Sequence, residues 1–182
     1  NMNYTIAVDN DSWMSDNWMK PAGRNGIPSA FIIDGTGTVA WIGSPFSMDD
    51  ALEEIVNGTW DLAAATESYA KEQAQAKAMN GLNAKYRKAM ANDNWDQWIS
   101  DIDAFTAEFG STARLNQAKF DALLTGKKDK EAAYALAETM VKGNWDNANA
   151  LNSMAWNIVD EVPSDLRNLD FALKVAKRGC EL

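Results

Sequence analysis

Apolar and polar positions follow two different periods along this chain, and the change falls near residue 61. Upstream of it, short β-prone runs alternate with turn residues. Residues 4–8 (Tyr-Thr-Ile-Ala-Val) end at Asp9-Asn10-Asp11 and predict a strand followed by a turn. Ser12 is placed to cap a helical segment carrying Trp13 and Trp18, which Pro21 and Gly23 end. Residues 29–33 predict a second strand. Asp34-Gly35-Thr36-Gly37 is a glycine-rich turn into a third strand at 38–42, and these two strands should pair antiparallel. Ser47-Met48-Asp49-Asp50 has capping-box spacing, and Leu52, Ile55 and Val56 give the following helix an apolar face that stops at Gly58. The predicted order is β-α-β-β-α.

From about residue 66 onward apolar residues recur three or four apart, in six helical segments separated by polar or glycine-containing breaks. Met79, Leu82, Tyr86 and Met90 form one stripe, continuous with an Ala/Gln/Glu-rich lead-in, and Trp95, Ile99, Ile102 and Phe105 form the next. Stripes at Leu115–Leu124, Ala133–Met140, Leu151–Ile158 and Leu169–Ala176 follow. Such stripes joined by short breaks predict antiparallel helical hairpins. Leu82, Leu115 and Leu151 hold similar places in alternate helices, and their spacing is close to the tetratricopeptide period of about 34. The full consensus of that repeat is nowhere present. The fold class expected is therefore α/β plus all-α, with residues 1–61 as one domain, a boundary at Trp60-Asp61, and a TPR-like helical domain over 62–182.

Composition narrows the chemistry. The 182 residues are 46% apolar and 24% charged, enough to bury a core. The formal net charge is −9, and no lysine/arginine stripe exists to engage a phosphate backbone, so nucleic acid is not an expected partner. Residues 1–61 hold 2 basic against 9 acidic side chains, whereas 62–182 hold 15 against 17, which supports two regions of different origin. No run of about 20 apolar residues is present to span a membrane. There is no histidine and one cysteine, Cys180. His/Cys zinc sites, Ser-His-Asp triads, Cys-His dyads and an intrachain disulfide are thereby excluded. No catalytic residue, metal ligand or cofactor is expected in this chain. Cys180 falls on the last helical stripe and is expected to be a buried, inert thiol. Trp13, Trp18 and Trp41 are read as core or cleft-wall residues, and Trp95 and Trp145, each in an Asn-Trp-Asp triplet, as packing the starts of helices.

The run Gly26-Ile27-Pro28-Ser29-Ala30-Phe31-Ile32-Ile33-Asp34-Gly35, followed by Gly37-Thr38-Val39-Ala40-Trp41-Ile42-Gly43, resembles the signature of TlpA-like thiol-disulfide oxidoreductases, which are thioredoxin-like redoxins. The resemblance covers about residues 3–61 and implies the C-terminal half of a thioredoxin-like domain. A helical extension like that of 62–182 occurs in some members of the group. The resemblance also implies that the family's C-x-x-C pair would lie at the start of a helix ahead of the strand at 4–8, upstream of residue 1, since a low-pKa thiolate at a helix N-terminus attacks the substrate disulfide. An opening on Asn1 without an initiator methionine agrees with a fragment or a processed chain.

What remains of the family's site is the loop Gly26, Ile27, Pro28 and Ser29, where the resemblance implies a cis proline and a backbone able to pair with an extended substrate peptide. The alternative is an ordinary proline at the start of a strand. The function expected is a piece of a thiol-disulfide oxidoreductase, inactive as given, with a helical protein-interaction extension. The alternative is a non-enzymatic protein-binding scaffold. A protein or peptide partner is expected under both. The resemblance further implies a central strand between those at 4–8 and 29–33, so that without it a homodimer could form through the open strand edges. An extracytoplasmic location is implied by the resemblance alone.

Overall fold

The structure is a computed structural model that describes residues 8–182. The predicted strand at 4–8 lies outside the described residues except for Val8, which is exposed and in no regular element. The chain divides into two compact units, Asn1–Gln75 and Ala76–Leu182.

In the first unit a π-helical turn spans Ser15–Met19. Its cap differs from expectation. Ser12 has a positive φ of 64°, and the carboxylate of Asp9, at 3.1 Å, accepts the Met14 N–H. Strand β1 (Ala30–Ile33) pairs antiparallel with β2 (Val39–Gly43), with a register shift between Ile32 and Ile33. The tight turn between them needs the left-handed region at Gly37, φ 88°, where a side chain would be strained. A 3-10 turn at Pro45–Ser47 then leads into α1 (Asp49–Asn57). Here the expected capping box is absent. Ser47 donates to the Ser44 carbonyl at 3.2 Å instead of capping α1, which starts from Met48 without a side-chain cap and is favoured by Asp49 and Asp50 in its first turn. Gly58, φ 71°, ends α1 as expected.

Helix α2 runs without a break from Leu62 to Asn92, so the lead-in and the first stripe are one helix. In the second unit it is followed by α3 (Trp95–Phe109), α4 (Ala113–Asp121), α5 (Lys130–Lys142), α6 (Ala148–Trp156) and α7 (Leu169–Glu181). Asn94, Thr112, Asp129, Asn147 and Asn168 cap the last five, each side chain accepting a backbone N–H three residues on. Consecutive helices from α3 to α7 pack on each other.

The apolar stripes bury only in part, and not into a continuous solenoid: Tyr86 and Met90 of the first stripe and Leu169 and Leu173 of the last are exposed, and α7 buries Phe171, Ala172 and Val175 instead. Leu82, Trp98, Ile102, Phe105 and Leu115 form one core, and Phe120, Leu124, Tyr134, Leu151, Ile158 and Val175 belong to a second. Stacked equal repeats bury one continuous core. Here α2 has 31 residues, whereas α4 and α6 have 9 each before passing into π-helical turns at Ala122–Gly126 and Asn157–Glu161. The leucine spacing near 34 therefore does not mark a tetratricopeptide array.

Tyr134 organises the second core. Its ring meets Phe120 and Phe171 edge-on at 5.8 and 5.7 Å, while its hydroxyl donates to the Leu166 carbonyl at 3.1 Å and accepts the Asn168 N–H at 2.8 Å. Burial pushes its phenol above the usual tyrosine range, against the Asn168 hydrogen bond. Tyr134→Phe keeps the ring and strands both backbone groups. It should destabilise the second unit by roughly 1–3 kcal/mol in urea denaturation, and no change would show that the bonds to the 166–168 segment are not formed.

Candidate functional site

The loop singled out by sequence, Gly26 to Ser29, precedes β1 and is fastened at its two ends. The Ser29 hydroxyl donates to the Gly26 carbonyl at 2.7 Å, and the Arg24 Nε donates to that hydroxyl at 3.4 Å. Between these ties Ile27 is 91% exposed, an unusual position for an isoleucine. Among the described residues neither the N–H nor the C=O of Ile27 has a hydrogen-bond partner. The Ile27–Pro28 peptide bond is cis, as the sequence reading expects. Arg24 was missed by sequence reasoning. The available signal was its rarity, since residues 1–61 contain only Lys20 and Arg24 as cations.

The hairpin behind the loop is closed by one carboxylate. Asp34 Oδ1 accepts from the Thr36 hydroxyl at 2.6 Å and from the Thr36 and Thr38 N–H groups at 2.9 Å each. These bonds, the Thr36 hydroxyl first, hold Asp34 below its usual carboxylate range. On the inner side Trp18 meets Phe31 of β1 edge-on at 5.3 Å, so Trp18 packs the π-helical turn on the strand. Trp13, read as core or cleft wall, is instead 57% exposed.

Elsewhere the candidate residues fall differently from expectation. Cys180 is exposed. The buried face of α7 is carried by Phe171, Ala172 and Val175, and five residues beyond Val175 at helical periodicity points away from that face. Trp95 opens α3, as expected. Trp145 does not start a helix; it lies in the turn ahead of α6, with the Arg178 guanidinium 5.5 Å from its ring centroid and the Arg178 Nε donating to its carbonyl at 3.1 Å. Among the described residues no three His, Cys, Asp or Glu side chains group as metal ligands, and no helix is long and apolar enough to cross a membrane.

The comparisons with known proteins give one weak relative. Protein FixW of Rhizobium leguminosarum is 25% identical over 107 residues, which is 57% of this chain and 48% of FixW. The chain thus spans about half the length of the curated relative it matches. No protein-family model matches the chain, and no solved structure matches it. Assignment to the TlpA-like oxidoreductases, and to tetratricopeptide proteins, is therefore corrected. The run from Gly26 to Gly43 is a short stretch around a hairpin whose turn, strand and glycine requirements are general, and the helical spacing belongs to helices of unequal length.

Folding of the hairpin should follow the Asp34 charge. A carboxyl whose folded pKa is depressed adds stability above its unfolded value, about 3.9, and that contribution is lost as pH falls through the folded value. NMR titration of the Thr36 and Thr38 amides should give a midpoint below 3.9, and Asp34→Ala should loosen the hairpin at neutral pH but not in strong acid. A midpoint at or above the ordinary value would mean that the three bonds do not hold the turn.

Proposed function

We propose that this chain is part of a redox-related, thioredoxin-like protein in which residues 8–61 recognise an extended peptide at the Gly26–Ser29 loop. The helices beyond them serve as an extension for protein interaction. The observation that carries this reading is the loop itself: an almost fully exposed isoleucine held between two tied ends, directly ahead of an antiparallel hairpin and a closing helix. The similarity to FixW supports it. The exposed Ile27 backbone offers an extended peptide main-chain pairing, and its side chain offers apolar contact. Gly26 leaves the approach open, with nothing within 4 Å of where a Cβ would stand.

Recognition and chemistry separate cleanly in these 182 residues. A dithiol cycle needs a thiolate that attacks and a second thiol that resolves the mixed disulfide. One thiol, on α7, cannot complete it.

The chain alone should therefore show no turnover in insulin-disulfide reduction with a dithiol donor, and turnover abolished by Cys180→Ser would overturn this. It should nevertheless bind reduced insulin B chain, and Ile27→Asp should weaken that binding about tenfold, roughly 1.4 kcal/mol. Binding indifferent to Ile27→Asp would remove the loop from the recognition surface.

A further inference from the structure

The first unit also holds a groove whose lining does not include the Gly26–Ser29 loop. An open groove of about 570 Å³ runs along β2 between α1 and the first turns of α2. Trp41, Trp60 and Tyr69 form aromatic walls, and Glu54, Asp61 and Glu72 are its charged lining residues, with no lysine or arginine among them. Among the described residues none of these three carboxylates takes part in a salt bridge.

The walls are preset. The Trp60 indole N–H donates to the Ala40 carbonyl at 3.1 Å, and the Tyr69 hydroxyl donates to the Ala22 carbonyl. Both rings thus have their polar ends bound to backbone, which fixes the ring positions and leaves their apolar bodies to line the groove. Trp41 lies back along its own strand over Gly43, where any Cβ would collide with the indole. Arg24 and Lys71 both lie outside the lining, and Arg24 is tied to Ser29.

The geometry points to a lysine- or arginine-bearing extended peptide segment as the occupant of this groove. Three aromatic walls with three carboxylates and no lining cation suit an ammonium or guanidinium, which gains from the ring quadrupole and from the carboxylate charge together. The alkyl stems of the same side chains match the apolar ring bodies. Charge over the whole unit acts in the same direction, since residues 1–75 hold 11 acidic against 3 basic side chains and would steer a basic partner inward.

The test is fluorescence-anisotropy titration of the full chain with a labelled Arg-Val-Lys-Val-Arg peptide and with a counterpart in which glutamate replaces each basic residue. The basic peptide should bind saturably and more weakly as salt rises, and the acidic one should not bind. The Glu54→Gln/Glu72→Gln variant should weaken binding about tenfold or more with its circular dichroism unchanged. Glu53→Gln/Glu67→Gln removes the same charge from exposed positions outside the groove and should change binding by less than about twofold, whereas Ile27→Asp should leave it intact. Absence of saturable binding, equal binding of the acidic peptide, or equal weakening by both double variants would overturn the groove, the last by reducing the effect to net charge.

Discussion

Burial of apolar side chains is divided unequally between the two units, and most of the structure follows from that. In the second unit large residues such as Phe120, Leu124, Leu151 and Ile158 are fully buried. Helices α4 and α6, at 9 residues each, are too short to persist in water alone, where about 12–15 residues are marginal, so this burial is what holds them. In the first unit the described buried side chains are Ala40 and Ala51, while Phe46 and Val56 are 89% and 76% exposed. What orders that unit is a set of polar ties: the Asp34 carboxylate across the hairpin turn, the Trp60 indole on Ala40, and the Tyr69 hydroxyl on Ala22.

The same division determines how much could be read from sequence. A helix that buries one face writes its period into the chain, so the six helical segments were legible, as was the glycine end at Gly58, although Tyr86, Met90, Leu169 and Leu173 turned out to lie off the buried faces. The β1–β2 pairing was legible because its turn needs residues of special backbone geometry, above all Gly37. Tertiary choices were not legible. Whether Ser47 caps a helix or turns back to Ser44 depends on the 3-10 turn that Pro45 starts, and whether Cys180 is buried depends on where the contact face of α7 ends. The leucine period failed for a related reason: spacing reports helix phase and says nothing about equality of helix length.

For the candidate site, the loop residues were legible as a motif and their ties were not. Nothing in the sequence links Arg24 to Ser29, or Tyr69 to Ala22 across 47 positions. Such side-chain bonds matter most in a unit with little apolar core, because each one removes freedom that burial would otherwise remove. They also leave apolar surface in reach of solvent: Ile27 is almost fully exposed, and Trp41, Trp60 and Tyr69 are only half-buried.

The central claim is that the two units are stabilised to different extents, the second by a packed core and the first by individual polar ties. Hydrogen exchange followed by mass spectrometry on the free chain tests it most directly, because protection reports local opening free energy segment by segment. The account predicts that amides of α3, α5 and α7 exchange at least about tenfold more slowly than those of β1, β2 and α1, a gap of roughly 1.4 kcal/mol or more in opening free energy. Equal protection of the hairpin and the α3–α7 helices would contradict it.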